Sequence, residues 1–398
     1  MAGQALSSHS PSKTSSGSLL YDPRFRGILY QVITIVALVA FVWMVTSNTI
    51  HNLEKANIAS GFEFLKGRAG FDIGQSLIAY SSDSTYGRAL LVGILNTIEI
   101  AVLGIIAASI IGFIVGIARL SKNWLIAKLA QTYVEIFRNI PPLLVILFWY
   151  KGVIAILPQA RQSVALPFDS FLNNRGLYIP KAIWGDGSLF VGLALIVAII
   201  ASVLVARWSK KRQAKTGQQF PHGLTALGLI ILLPLAVFLV LGAPLTFDYP
   251  ILGKFNLTGG TVVGPEFISL FLALSFYTAA FIAEIVRAGI RAVPKGQTEA
   301  ANALGLRSGV TTRLVIIPQA MRIIIPPLTS QYLNLTKNSS LAVAVGFSDI
   351  VSVGGTMLNQ TNQALEIVLL WLVIYLSLSL TTAVFMNWFN AKMALVER

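Results

Sequence analysis

No cysteine occurs in the 398 residues. That excludes a disulfide framework, a thiolate nucleophile and a cysteine-held iron–sulfur cluster. Histidine is nearly as scarce. His9, His51 and His222 are the whole set, all in expected tail or loops, and no H-E-x-x-H string holds any of them. A metal site or an intramembrane metalloprotease is therefore set aside. No G-x-x-x-x-G-K-[ST] loop is present to cradle phosphates, and no G-x-S-x-G elbow presents a serine. Charge is thin as well, at 12% of residues against 55% hydrophobic. A soluble domain carries about 25% charged residues. The composition is that of an integral membrane protein, for which the bilayer replaces the single-core argument.

What charge there is leans one way. Thirty Lys and Arg face sixteen Asp and Glu, a net +14. Nucleic acid is one reading of such an excess, but the distribution argues for topology. Eight apolar stretches read as spans: 28–46, 89–118, 141–157, 188–207, 223–243, 267–288, 321–346 and 365–388. The third is short and contains Lys151. Twenty of the thirty basic residues fall in 1–27, 119–140, 207–222, 287–322 and the C-terminus, and seven fall in the alternate loops. This asymmetry puts the first set, and both termini, in the cytoplasm. Residues 1–27 are serine-rich and expected to be disordered. They do not read as a signal peptide, because the apolar run starts late and no small-residue cleavage site follows. The outside loop 48–87 contains Phe62, Phe64, Phe71 and Tyr80, which predicts order there.

The second span carries Gly104, Ala108, Gly112 and Gly116 at every fourth position. Such a stripe lets helices approach closely in lipid, whether the contact is static or shifts during a working cycle. The polar stretch 297–320 lies between two spans and must stay outside the bilayer as an ordered loop. Ala300, Ala301 and Ala303 favour helix. Gly305 suits the left-handed residue that ends a helix. Pro318 is expected to stop a second helical piece and re-aim the chain.

The order Glu299-Ala300-Ala301, Gly305, Arg307, Arg313 and Val-Ile-Ile-Pro318 resembles the EAA motif of the membrane subunits of ATP-driven (ABC) importers. The string Phe137-Arg138-Asn139-Ile140-Pro141-Pro142-Leu143 is similar to a signature of ABC permeases for polar amino acids. It follows Leu125, Leu129, Val134 and Phe137, whose spacing predicts an amphipathic helix. The stretches 273–301 and 335–350 strengthen the same resemblance. The N-terminal YDPRFRGILYQ, the long first outside loop and the inserted pair of spans look like the general L-amino-acid permease subunit family of Gram-negative bacteria.

The resemblance implies an all-α integral membrane protein with the type I ABC importer permease fold. It implies about eight transmembrane helices and both termini cytoplasmic. Residues 28–87 would add a span and a periplasmic loop. Residues 88–390 would form the permease domain, with an inserted helix pair at about 188–243 and a coupling loop at 290–320. In that family the loop docks into a separate ATPase, so Glu299, Ala300, Ala301, Gly305, Arg307, Arg313 and Pro318 are the expected coupling residues. The implied partners are an ABC ATPase dimer, a second homologous permease subunit and a periplasmic amino-acid-binding protein. The implied cargo is an L-amino acid, with ATP and magnesium on the partner ATPase and no cofactor on this chain. The implied location is the inner membrane of a bacterium. A stand-alone ion-coupled carrier is the alternative. It would call for midplane acidic relays beyond Glu99.

Charges inside spans are costly and point to function. Glu99 has two readings: a contact for the ammonium of a passing amino acid, or an ion pair with Lys151 or Lys337. Glu284 and Arg287 stand three apart and can pair on one helix face, as a gate or a structural pair. The seventh span holds Asn334, Lys337, Asn338, Ser339 and Ser340. Polar groups this dense are expected to face a cavity or other helices rather than lipid. The resemblance implies that this segment lines the translocation path, where Lys337 would balance a substrate carboxylate. Pro326 and Pro327 in the same span would break the helix and free carbonyls.

Overall fold

Residues 23–55, 61–253 and 256–393 are described by a computed structural model. Most of the expected disordered tail, 1–22, lies outside them. Among the described residues, seven helices are long and apolar enough to cross a membrane. The predicted third span is shorter, Pro142–Ile154, which at about 1.5 Å per residue reaches only about 20 Å. Lys151 lies on it with its ammonium over the Tyr150 ring, 5.1 Å from the centroid.

Helix α1 runs Pro23–Lys55, further at both ends than the sequence suggests, and includes His51. Residues 61–85 then fold over the outer end of the bundle. Phe64, Phe71 and Tyr80 gather with Tyr86 there, as their aromatic content predicts, while Phe62 stays exposed. Helix α2 (Tyr86–Ala118) starts at Thr85, whose hydroxyl accepts from the Arg88 amide. The capped amphipathic helix α3 is Trp124–Asn139. Its stripe divides: Val134 is buried in the core, whereas Leu125 and Leu129 face outward. Helix α4 (Pro142–Leu147) continues as a π-helical turn, Phe148–Ile154.

The second outside loop is not merely loop. It forms strands β1 (Val164–Leu166), β2 (Ser170–Asn173), β3 (Gly176–Ile179) and β4 (Lys181–Trp184). After α5 (Ser188–Thr216) and α6 (His222–Val240) come β5 (Leu245–Asp248), β6 (Ile251–Leu252), β7 (Leu257–Thr258) and β8 (Thr261–Val263). One antiparallel sheet runs β1-β2-β3-β8, and β4 pairs with β5 across the base of the α5–α6 hairpin. Strands on both sides of the inserted helices thus zip its two ends together. These short strands are outside the all-α expectation for the membrane part.

Helix α7 (Pro265–Arg291) is the hub of the domain. It packs on α2 along most of its length, and on α3, α4 and α10. Helix α8 (Lys295–Ala303) and α9 (Ser308–Thr311) lead through a π-helical turn, Thr312–Ile316, into α10 (Ile317–Asn338). Two proline expectations are corrected here. Pro318 does not stop a helix. It lies in the first turn of α10, where a missing N–H costs least. Pro326 and Pro327 do not break α10 either. Their rings remove two backbone donors, but buried Ile324, Ile325 and Leu328 hold that stretch in the core. A 3-10 segment, Ser339–Val345, ends the span at Gly346. Helix α11 (Ile350–Thr361), on the outer side where a loop was expected, and α12 (Ala364–Met393) complete the chain.

The small-residue stripe lies at the centre of the packing. Gly104, Ala108, Gly112 and Gly116 are all buried. Gly112 faces Ala279 and Ile282, and Gly116 faces Ala283 and Val286, so α2 and α7 meet backbone against side-chain base.

Candidate functional site

Three polar constellations stand out from this apolar frame. The first is the stretch 295–314 beyond the inner ends of α7 and α10. Alanine-rich α8 ends at Gly305, which takes φ +72°. The Gly305 amide donates to the Asn302 carbonyl (2.9 Å) and the Leu306 amide to the Ala301 carbonyl (3.1 Å). This double closure terminates a helix and turns the chain sharply, so the sequence reading of Gly305 holds. Ala301 is buried beneath the hairpin, while Glu299, Ala300, Arg307 and Arg313 are exposed. So are Leu304, at 79%, and Leu314, at 65%, with Val310 beside them. Arg307, Gly309, Val310, Arg313 and Leu314 line one shallow depression on this face. A surface that mixes exposed leucine with arginine is suited to a protein partner.

The second constellation lies at the inner end of α7. Glu284 and Arg287 pair as their spacing predicts. The sequence reading missed two more participants. Arg119, at the C-terminus of α2, also pairs with Glu284, and Arg138 of α3 approaches to 3.9 Å. The Arg138 guanidinium lies over the Phe281 ring, 5.6 Å from its centroid. One carboxylate therefore ties together three helices and faces three guanidinium groups. Positions 119 and 138 follow apolar runs at helix ends and read as ordinary cytoplasmic anchors, so only the helix packing reveals them.

The third constellation is at the outer end. A cavity of about 220 Å³ is lined by Gln75, Gly264, Glu266, Phe347 and Ser348, with Gly74 and Gly346. Asn96 donates to the Gln75 and Ser348 carbonyls, both at 2.9 Å, and so pins the loop to the start of α11. The Gln75 side chain lies near the Glu99 carboxylate. Tyr150 donates to Glu266 at 3.3 Å. Three buried oxygens remain without a donor: Glu99 Oε2, Gln75 Oε1 and Asn96 Oδ1. Buried acceptors without donors are costly; of the three residues only Gln75 lines the cavity, with Asn96 bonded to the Gln75 and Ser348 backbone behind it. The wall itself carries one carboxylate, Glu266, and one side-chain amide, Gln75.

Among the described residues Glu99 has no cationic partner within ion-pair distance, so its pairing with Lys151 or Lys337 is not formed. Glu266 was not singled out in the sequence. Its signal was an acid at the first turn of an apolar helix, just after Gly264-Pro265. Asn96 had a signal too, three residues before Glu99 on the same helix face.

The polar groups of the seventh span divide. Ser339 is buried, and its hydroxyl donates to the Thr336 carbonyl at 2.8 Å. Ser340 donates to the Lys337 carbonyl at 2.8 Å. Asn338 is half-buried, whereas Asn334 and Lys337 stand exposed on the outer surface of the chain. None of them lines the outer cavity. Beside them, Asp349 caps α11 by accepting from the Ser352 amide at 2.8 Å. It is completely buried, and that burial pushes its carboxyl up to about 7.

Comparison with known proteins follows the same lines. Residues 100–395 match the model of the binding-protein-dependent transport system inner membrane component. The general L-amino acid transport system permease protein AapQ of Rhizobium johnstonii is 69% identical over 96% of this chain and 95% of its own length. The putative amino-acid ABC transporter permease protein YhdX of Escherichia coli is 52% identical over 97% and 98%. The glutamate/glutamine/aspartate/asparagine transport system permease protein BztB of Rhodobacter capsulatus is 43% identical over 96% of each. The fold is that of a type I importer permease, and a stand-alone carrier is set aside. The chain belongs to the family of binding-protein-dependent transport system inner membrane components and is a multi-pass permease subunit of an ABC importer.

Proposed function

We propose that this permease carries L-amino acids across the inner membrane of a bacterium, with ATP hydrolysed on a separate pair of ATPase subunits. A periplasmic amino-acid-binding protein delivers the cargo, and a second homologous permease completes the path. ATP and magnesium stay on the ATPase, and this chain needs no cofactor of its own. The names of the relatives support the cargo class. The observation that carries the coupling role is the exposed 295–314 hairpin, with its left-handed Gly305 turn and its uncovered Leu304, Val310 and Leu314. Glu299, Ala300, Ala301, Arg307 and Arg313 give that surface its shape and charge, and Pro318 starts the helix that carries its motion into the bundle. The exposed Asn334 and Lys337 support a second permease, because polar groups at this depth need a cover other than lipid.

The hairpin is tested with Gly305→Pro and Glu299→Lys in the assembled transporter. Proline cannot take a positive φ, so the α8 turn is lost. We expect normal membrane levels, with substrate-stimulated ATP hydrolysis and uptake reduced by at least about tenfold, roughly 1.4 kcal/mol of coupling. Full uptake by both variants would remove the coupling assignment.

The outer cavity is the proposed contact for the cargo ammonium on this chain. Glu266 and Gln75 line it, and Glu99, beside Gln75, adds a second negative charge behind the wall. In the double variant Glu99→Gln/Glu266→Gln the acceptor shapes are kept and the charge is removed. Charge-assisted hydrogen bonds are worth about 1.5–3 kcal/mol each, so uptake at subsaturating amino acid should fall by at least about tenfold. Unchanged uptake kinetics in reconstituted vesicles would place the ammonium contact elsewhere, with Asn338 and Ser340 next in line.

A further inference from the structure

The inner end of α5 carries a charge that neither the bundle nor the transport reading uses. Arg207, Lys210, Lys211, Arg212 and Lys215 fall within nine residues, and no Asp or Glu occurs between Asp186 and Asp248. Arg207, Lys211 and Lys215 recur every four residues and are all exposed. Like charges at that spacing repel, so the helix holds an uncompensated stripe of cations. Among the described residues Arg212 is the one of the five with a side-chain hydrogen bond or ring contact, lying over Trp208 (5.4 Å) and donating to Gln218 (2.8 Å).

Geometry puts this stripe at the membrane surface. The uncharged part of α5, 188–206, covers about 28 Å at about 1.5 Å per residue. That matches a hydrocarbon core of about 30 Å. The cations begin where that length ends. Trp208 is half exposed there and packs edge-on against Phe220 at 5.3 Å, as aromatic residues do at a lipid–water boundary. The α5–α6 pair makes its extensive helix contacts only within itself, and α6 has no buried residue. An apolar helix pair long enough to cross a membrane sits in lipid, whose headgroups supply anions beside the stripe.

We infer that the Arg207–Lys215 end of α5 is a binding site for anionic phospholipid headgroups, which anchor the inserted hairpin beside the permease core. The charge density is that of juxtamembrane segments that collect acidic lipid. Orientation during insertion needs positive charge on this side but not retained lipid, and this separates the two roles.

The test uses the complete transporter purified in mild detergent from native membranes, with bound phospholipids counted by mass spectrometry. Lys211→Gln/Lys215→Gln keeps Arg207, Lys210 and Arg212, and so keeps the topology signal. Lys122→Gln/Lys128→Gln removes the same charge at α3. The expected result is at least about a fivefold loss of retained phosphatidylglycerol in the first variant and little change in the second. Competition with added phosphatidylglycerol and phosphatidylcholine vesicles should restore anionic lipid to the native chain selectively. Equal retention in both variants and the native chain, or equal loss in both variants, would overturn the site. Loss of a co-purifying acidic protein with lipid unchanged would overturn it in favour of a protein partner.

Discussion

Gly112→Ala/Gly116→Ala is expected to lower the stability of the folded permease by about 3 kcal/mol or more, as overpacking at two sites. A Cβ built on Gly112 would lie 2.6 Å from the Ile282 Cβ and 3.0 Å from the Ala279 carbonyl oxygen. One built on Gly116 would lie 2.8 Å from both the Ala283 carbonyl oxygen and the Val286 Cβ. These neighbours are backbone and branch-point atoms of α7, which cannot rotate away. The two helices must separate, and the contact that organises the domain loosens along its length. Helix propensity alone has the opposite sign, since alanine is favoured over glycine by about 1 kcal/mol per site. The clash wins because it is repeated on one interface.

Two controls decide the cause. At Gly228 of α6 an added Cβ meets nothing within 4 Å, so Gly228→Ala should be neutral or slightly stabilising. At Gly104 the nearest atom is a Leu335 methyl at 3.2 Å, which can shift, so the cost should be small. Thermal unfolding in detergent, followed by loss of the monodisperse peak on size exclusion, reads all three. An unchanged midpoint for the double variant would mean that α2 and α7 do not pack this closely.

Glu284→Gln should be nearly as damaging, by about 2–3 kcal/mol. Removing one partner of a buried ion pair costs about 3–5 kcal/mol, because the other charge is left behind. The lower figure reflects side chains that keep some solvent, 24% for Glu284 and 13% for Arg119. Glutamine keeps an acceptor but leaves Arg119, Arg138 and Arg287 to repel one another across three helix ends. Arg138→Gln removes only the outermost partner, at 3.9 Å and 44% exposed, and should cost well under about 1 kcal/mol. Salt gives a second signature. Screening weakens repulsion between exposed charges, so added salt should stabilise Glu284→Gln relative to the native protein. If that variant unfolds at the native midpoint at every salt concentration, the cluster is not holding the helices together.

The sequence was most informative where one residue decides its own conformation. Gly305 ends α8 because a left-handed turn has few other candidates. Glu284 and Arg287 meet because i and i+3 share a helix face. It misled where neighbours override local preference. Pro326 and Pro327 remove donors from α10, yet Ile324, Ile325 and Leu328 are buried and the helix continues. Leu125 and Leu129 fit an amphipathic stripe but are not part of the buried face of α3.

The sequence by itself determined the membrane class, the approximate spans and the turn at Gly305. Those follow from hydropathy and backbone preference, both local along the chain. The tertiary structure alone decided that Glu284 gathers arginines from α2 and α3, and that Gln75, Glu266 and Ser348 surround one cavity. It also decided that the loops around α5 and α6 pair as strands. These depend on how each helix is rotated about its axis and which glycine lets its neighbour approach. Contacts between residues 96 and 348 are set by that packing, because nothing in the spacing of two positions so far apart fixes their distance.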